Sequence, residues 1–277
     1  MTAPHATALE RVGRYGLWTF AILVFAFLVA PNLIIIPLSF NAQPYFSFPL
    51  AGFSLRWYDE LFTSSRWHEA VANSLIIGVP ATILATAMGT AAALGLSRRE
   101  FPCRAFVTAV LISPMVVPIV VTAVGMYFFY VEIGLANSYL GLILAHTALA
   151  TPYVVITVTA TLAGFDLTMT RAAASLGAGA FRVFRSITLP LIVPGVVSGA
   201  LFAFATSFDE VVVVLFLGGV DQRTLPRQMW SGIREAMTPT ILAAATLLVL
   251  FTLLLMALLD LLRARGERLR GSSSPIQ

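Results

Sequence analysis

Lysine is absent from this chain of 277 residues; all 17 basic residues are arginine. A phosphate-binding loop of the form G-x-x-x-x-G-K-[ST] therefore cannot occur in it, and the chain cannot itself be a P-loop ATPase. Schiff-base chemistry through a lysine amine is excluded on the same ground. Cysteine is nearly absent: Cys103 stands alone, so neither an intrachain disulfide nor a cysteine metal cluster can form. His5, His68 and His146 lie far apart and lack the spacing of metal ligands. Charge is scarce as well. Only 11% of residues are charged and 58% are hydrophobic, with a mean hydropathy of +0.90. A soluble domain needs more charge than this to cover its surface, so the chain reads as an integral membrane protein. The net charge of +4 then speaks to membrane orientation and not to nucleic-acid binding.

What the chain does have is apolar length. Six stretches are long enough to cross a bilayer, at about 15–40, 70–96, 104–130, 137–163, 191–217 and 239–262. The expected fold is all-α, with six transmembrane helices. Pro31 and Pro37 should bend or end the first span. Its flank has no small-residue cleavage site and its apolar run is too long for a signal peptide, so it is expected to be retained.

Arginine placement sets the orientation. Twelve arginines fall on one side: Arg11 and Arg14, then Arg98, Arg99 and Arg104, then Arg171, Arg182 and Arg185, then Arg263, Arg265, Arg268 and Arg270. Five fall on the other: Arg56, Arg66, Arg223, Arg227 and Arg234. Both termini are therefore expected in the cytoplasm, although the last three of those five run against the rule. The first connection is aromatic, with Tyr45, Phe46, Phe48, Phe53, Trp57, Tyr58 and Trp67. It suits an interfacial belt, a docking surface for an extracytoplasmic partner, or both. The final GSSSPIQ reads as disordered.

Between the fourth and fifth spans, on the cytoplasmic side, lies RAAASLGAGAFRVFRSITLP, Arg171 to Pro190. Ala173, Leu176 or Gly177, Ala180, Phe181 and Phe184 recur at helical spacing and predict one apolar face on a helix with Gly177 inside it. Glycine there costs about 1 kcal/mol relative to alanine and is tolerated where another surface must approach closely. The segment is read either as a docking surface or as a basic helix lying on the inner leaflet.

Asp209 and Glu210 are the other residues that need explaining. Asp209 lies eighteen residues beyond Leu191, about 27 Å along a helix and so near the outer end of the fifth span. Intramembrane acids are expensive and are usually paired or functional. One reading is an interfacial pair bridged to Arg223 or Arg227. The other is a solute passage. Helical periodicity places Glu210 in line with Ala203, Thr206 and Ser207, beside Phe208, and a carboxylate accepts strong hydrogen bonds from ammonium groups. Tyr127 and Tyr130 would add aromatic faces for a cation, or they pack in the core. His146 is read as a packed, hydrogen-bonded residue without a role.

The segment from Arg171 resembles a known family. E-A-A-x-x-x-G, nine residues, then I-x-L-P marks the permease subunits of binding-protein-dependent ABC importers. Here Arg171-Ala172-Ala173, Gly177 and Ile187-Thr188-Leu189-Pro190 keep that spacing, with arginine where glutamate is usual. GFSLRWY (Gly52–Tyr58), SPMVVP (Ser113–Pro118), SFDEVVV (Ser207–Val213) and Leu225-Pro226 resemble the second permease of spermidine/putrescine importers. The resemblance implies a cytoplasmic coupling helix, with Arg171, Ala172, Ala173, Leu176, Gly177, Ala178 and Phe181 docking a separate ATP-binding subunit. It implies no catalytic residue, metal or cofactor in this chain, ATP and Mg being bound by the partner ATPase. The implied partners are an ATP-binding subunit dimer, a second permease subunit, an extracytoplasmic substrate-binding protein and membrane lipid. The implied place is the bacterial cytoplasmic (inner) membrane. The implied division is 1–69 as N-terminal span and external loop, 70–262 as permease core and 263–277 as a basic tail. The implied solute is small and cationic, polyamine-like, with amino-acid-like solutes or aminophosphonates as alternatives. An ion-coupled secondary transporter or channel would also explain six spans with intramembrane acids, but not the Ala-Ala, Gly, Ile-x-Leu-Pro spacing. An intramembrane enzyme would need a clustered catalytic set.

Overall fold

A computed structural model describes residues 8–47, 49–98, 100–164, 167–235 and 237–269. His5, Arg99, Arg270 and the GSSSPIQ tail lie outside the described residues. Regular structure among the described residues is helical, apart from one isolated bridge between Asn41 and Phe53.

Five helices are long and apolar enough to cross a membrane, and a bent pair brings the total to six if it counts as one span. In chain order they are α1 (Ala8–Leu38), α3 (Ser65–Leu96), the pair α4 (Arg104–Val116) and α5 (Ile119–Glu132), α6 (Tyr139–Ala163), the run ending in α9 (Leu189–Asp209), and α12 (Pro239–Leu269). α2 (Arg56–Thr63) lies between α1 and α3. α1 continues through Pro31 and stops just past Pro37.

Two expected spans prove to be broken. The third, expected unbroken over 104–130, bends by 104° between α4 and α5. Proline is the cause. Pro118 has no N–H to continue the ladder, and it holds Val117 in an extended conformation, φ −70° and ψ 133°. Pro118 then accepts the N–H groups of Val121 (2.9 Å) and Thr122 (3.1 Å) and starts α5. The fifth span, expected over 191–217, stops at Asp209. Glu210 is extended, and a short helix α10 (Val212–Leu217) follows.

The chain divides into two compact units, Met1–Thr63 with Gly232–Phe251, and Ser64–Ser231 with Thr252–Gln277. In the first, Asn41 organises the turn after α1. Its Nδ2 donates to the Tyr45 carbonyl (3.2 Å) and to Ser47 Oγ (2.9 Å), and its own carbonyl accepts Trp57 Nε1 at 2.6 Å. Phe40 and Tyr58 lie with ring centroids 5.1 Å apart, and Thr240 donates to Glu60 at 3.1 Å. Of the aromatic residues expected at an interface or docking surface, Trp57 and Trp67 are buried, Tyr45, Phe46 and Phe53 are exposed, and Phe48 lies outside the described residues.

The second unit is built on α3, α6 and α9. Ala81, Ala85, Gly89 and Ala93 recur every four residues and form one buried stripe on α3. α9 answers with Gly195, Ser198, Gly199 and Ala203, all buried. Lipid supplies no hydrophobic driving force between helices, so small residues that let backbones approach take its place. A Cβ on Gly89 would sit 2.6 Å from Val154 Cβ, and one on Gly199 would sit 2.5 Å from Thr157 Oγ1 and 3.1 Å from Val154 Cα. Four of the five threonines of α6 turn their hydroxyls back onto their own helix, and Thr159 Oγ1 is buried without a partner. Thr147, Thr151, Thr157 and Thr161 donate to the carbonyl four residues earlier at 2.7–2.9 Å. These four hydroxyls are thereby satisfied where water is absent.

Gly89→Val should cost about 1–3 kcal/mol by overpacking and lower the melting temperature of the solubilised protein. Gly125, whose Cβ position has no neighbour within 4 Å, provides the contrast: Gly125→Ala should leave the melting temperature unchanged or higher. Equal melting of the two variants would contradict the close approach.

Candidate functional site

The segment that follows α6 is not one helix. α7 (Leu167–Ser175) ends, and Gly177 takes a left-handed conformation with φ +83°. The Ala178 N–H bonds the Ala173 carbonyl at 3.1 Å, and the Gly177 N–H bonds the Ala174 carbonyl at 3.0 Å. This is the paired closure of a helix end that glycine permits because it has no Cβ. Gly177 is therefore a helix terminator, which corrects the expectation of a mid-helix glycine. Its Cβ position is open, with nothing within 4 Å, so the constraint there is the backbone angle and not crowding.

Beyond the turn come α8 (Ala180–Val183) and a π turn over Phe184–Thr188, which runs directly into α9. The Leu189 N–H reaches back five residues to the Phe184 carbonyl. Pro190 accounts for the wide turn: it lacks an N–H for the Ser186 carbonyl, and its ring crowds that carbonyl.

These breaks divide the expected apolar face. Ala174, Ala178, Ala180 and Phe184 line a groove of about 490 Å³ together with Leu94, Arg98 and Leu162 at the ends of α3 and α6. Leu176 and Phe181 turn the other way and are 88% and 76% exposed. Arg171 and Ala172 are exposed and Ala173 is half-buried. The segment thus holds the bundle on one side and presents two large apolar side chains on the other.

At the far end of α9, the expected stripe does not form as a single line. Ala203 and Ser207 are buried inside the bundle. Ser207 Oγ lies 2.8 Å from His146 Nδ1, and His146 is itself 1% exposed. Glu210 is not on the helix that would align it with Thr206 and Ser207, because α9 has ended one residue earlier. Its Oε1 instead accepts the Val213 N–H at 2.9 Å and caps the start of α10. Thr206 and Phe208 are half-buried, the latter stacked on Phe204 with centroids 5.4 Å apart, and Asp209 is exposed. Tyr130 is buried in a core with Leu142, Val213 and Leu217. Tyr127 is exposed and edge-on to Phe128 at 5.9 Å.

The arginines proposed as bridges to the acids are employed elsewhere. Arg227 Nη1 donates to the carbonyls of Gly218 (3.0 Å) and Gly219 (2.7 Å), and Arg223 Nη1 lies 3.5 Å from Gln228 Oε1.

Two arrangements escaped the sequence reading. One is the His146–Ser207 pair across α6 and α9. The other centres on Asn73 and Tyr139, which hold the loop after α10.

The comparisons with known proteins agree with this architecture. A family model described as "Binding-protein-dependent transport system inner membrane component" matches residues 85–268. The chain is 36% identical over 248 residues to the spermidine/putrescine transport system permease protein PotC of Haemophilus influenzae, which covers 90% of this chain and 96% of that protein. It is 35% identical over 241 residues to the putrescine transport system permease protein PotI of Escherichia coli K12, covering 84% of this chain and 85% of that protein. A bacterial ABC transporter involved in import of the acidic polysaccharide alginate shares the fold with a TM-score of 0.72 at 11% identity, over 93% of this chain and 99% of that one. The alginate transporter in complex with an alginate-bound periplasmic protein gives 0.67 at 15% identity, over 95% and 98%. At such identities the likeness speaks for the fold alone.

The left-handed turn can be tested directly. Gly177→Ala should weaken it by about 1–2 kcal/mol and speed amide exchange at Ala178 about tenfold. Gly177→Asn should be milder, since asparagine tolerates that conformation. Identical exchange in all three proteins would show that glycine does not hold the turn.

Proposed function

The chain belongs to the family of binding-protein-dependent transport system inner membrane components, and on that premise we propose how its parts divide the work. It is a multi-pass inner-membrane permease subunit of an ATP-driven importer and not an enzyme. Hydrolysis of ATP is the task of a separate subunit in such systems. Family membership also removes the ion-coupled transporter, the channel and the intramembrane enzyme from consideration.

Within that frame, the solute is a small polycation of the spermidine or putrescine kind. The observation that carries this reading is similarity over nearly the whole chain to two permeases named for those solutes. The exposed Asp209 at the outer end of α9, with Glu210 beside it, supports it, because carboxylates bind ammonium groups by charge-assisted hydrogen bonds. Thr206, Phe208 and Tyr127 are the other accessible members of the proposed passage, and Ala203, Ser207 and Tyr130 form its packed backing.

The segment from Arg171 to Phe181 docks the ATP-binding subunit dimer, which binds ATP and Mg; the chain needs no cofactor of its own. Exposed Leu176 and Phe181 support this, since they lie outside the apolar length of the spans and offer anchors to a protein cleft. Movement of the ATP-binding subunits would reach α6 through α7, and α9 through the π turn. A second permease subunit completes the passage, an extracytoplasmic binding protein delivers the solute, and both termini face the cytoplasm.

Glu210→Gln separates charge from fold, because the amide oxygen still accepts the Val213 N–H. In proteoliposomes holding the complete complex, it should reduce spermidine uptake about tenfold or more, a charged hydrogen bond being worth ~1.5–3 kcal/mol. ATPase activity and melting temperature should stay unchanged. Glu210→Ala should lower both uptake and melting temperature. Full uptake by Glu210→Gln would remove this carboxylate from the passage.

A further inference from the structure

The loop between α10 and α11 (Leu225–Glu235) is held by side chains from two other helices. Asn73, in α3, is 6% exposed. Its Nδ2 donates to the carbonyl of Asp221 at 2.8 Å and to that of Arg223 at 3.1 Å. Its Oδ1 accepts the hydroxyl of Tyr139, the first residue of α6, at 2.7 Å, and that hydroxyl also lies 3.1 Å from the Asp221 carbonyl. Ser74 Oγ accepts the Leu225 N–H at 2.8 Å, and the Asn137 N–H donates to the Leu217 carbonyl at 2.9 Å. The loop is also braced from within. Gln222 Oε1 accepts the Gly219 N–H at 2.8 Å, and Arg227 bridges the carbonyls of Gly218 and Gly219.

Asn73 therefore satisfies both its donors and its acceptor with groups that belong to one loop and one neighbouring helix. Because it reads carbonyls and not side chains, it fixes where the loop backbone sits. The outer surface of the same loop stays free, with Val220 80% exposed and Asp221 exposed. Below it, α3 and α6 run the length of the bundle, and α6 leads into α7 at its other end.

We propose that Asn73 and Tyr139 are positioning residues that lock the 218–225 loop to α3 and α6, so that a binding protein pressing on the loop moves the bundle and the docking segment with it. The proposal rests on the reading of that loop as extracytoplasmic and of Arg171–Phe181 as the docking segment. Without the lock, contact at the loop would be taken up by local bending. The permease would still assemble with its ATP-binding subunits, but the signal that a loaded binding protein has arrived would not reach them.

The test uses the complete complex in nanodiscs, with ATPase activity measured with and without the solute-loaded binding protein. Tyr139→Phe removes one hydroxyl and keeps the ring; Asn73→Ala removes both carbonyl tethers. Each should leave basal ATPase activity unchanged and reduce the stimulated-to-basal ratio about fivefold or more, a coupling loss of ordinary size. The double variant should do little more than Asn73→Ala alone, as for residues acting in one network. A residue with a merely structural role would lower the melting temperature and yield while leaving the ratio as in the unmodified complex, and that result overturns the proposal. Labelling of Val220→Cys in a Cys103→Ser background, with a membrane-impermeant maleimide, tells the two failures apart. Outside labelling with an unchanged ratio defeats the lock alone. Labelling only from the cytoplasm defeats the topology and the lock together.

Discussion

The close approach of α3, α6 and α9 is the constraint on which the rest of the second unit depends. Gly89 against Val154, and Gly199 against Thr157 and Val154, leave no room for a Cβ. A bundle held this way behaves as a solid body, because tightly interlocked helices shift between discrete arrangements more readily than they deform. Each functional part is an extension of that body. α7 follows α6 in the chain, α9 emerges from the π turn, and the loop after α10 is tied to α3 and α6 through Asn73 and Tyr139. A subunit that does no chemistry of its own has to convey displacement, and a rigid three-helix core serves that task.

Many of the polar groups inside this core are satisfied locally. The hydroxyls of Thr147, Thr151, Thr157 and Thr161 bond to their own helix, and Ser207 pairs with His146 Nδ1, while Thr159 Oγ1 and His146 Nε2 are buried without a partner. Glu210 spends one oxygen on the N-terminus of α10, where an acceptor and a negative charge are both favourable. That cap explains how a carboxylate is held at the broken end of α9 without being lost to solvent. It also gives the residue two separable properties, an oxygen that the fold uses and a charge that a cationic solute would use.

The helical class, the number of spans and the family were legible in the sequence because each rests on a local signal: apolar length for the first two, and the Ala-Ala, Gly, Ile-x-Leu-Pro spacing for the third. The errors arose where a single residue overrides periodicity. Pro118 bends the third span, Gly177 terminates a helix that spacing alone would continue, and the extended Glu210 interrupts the fifth span. The small-residue stripe Ala81, Ala85, Gly89, Ala93 was present in the sequence at a spacing of four and could have identified the packed face of α3. The Asn73–Tyr139 lock could not have been found this way. Its partners are backbone carbonyls 148 and 150 residues away, and carbonyls leave no mark on a sequence.

The central claim is that the exposed apolar side chains after α7 seat in another protein and not in lipid. A photo-crosslinking amino acid placed at Leu176, irradiated in native membranes, tests this most directly. The account predicts an adduct between this chain and its ATP-binding subunit. Adducts with phospholipid alone, in membranes where the complex is intact, would contradict it.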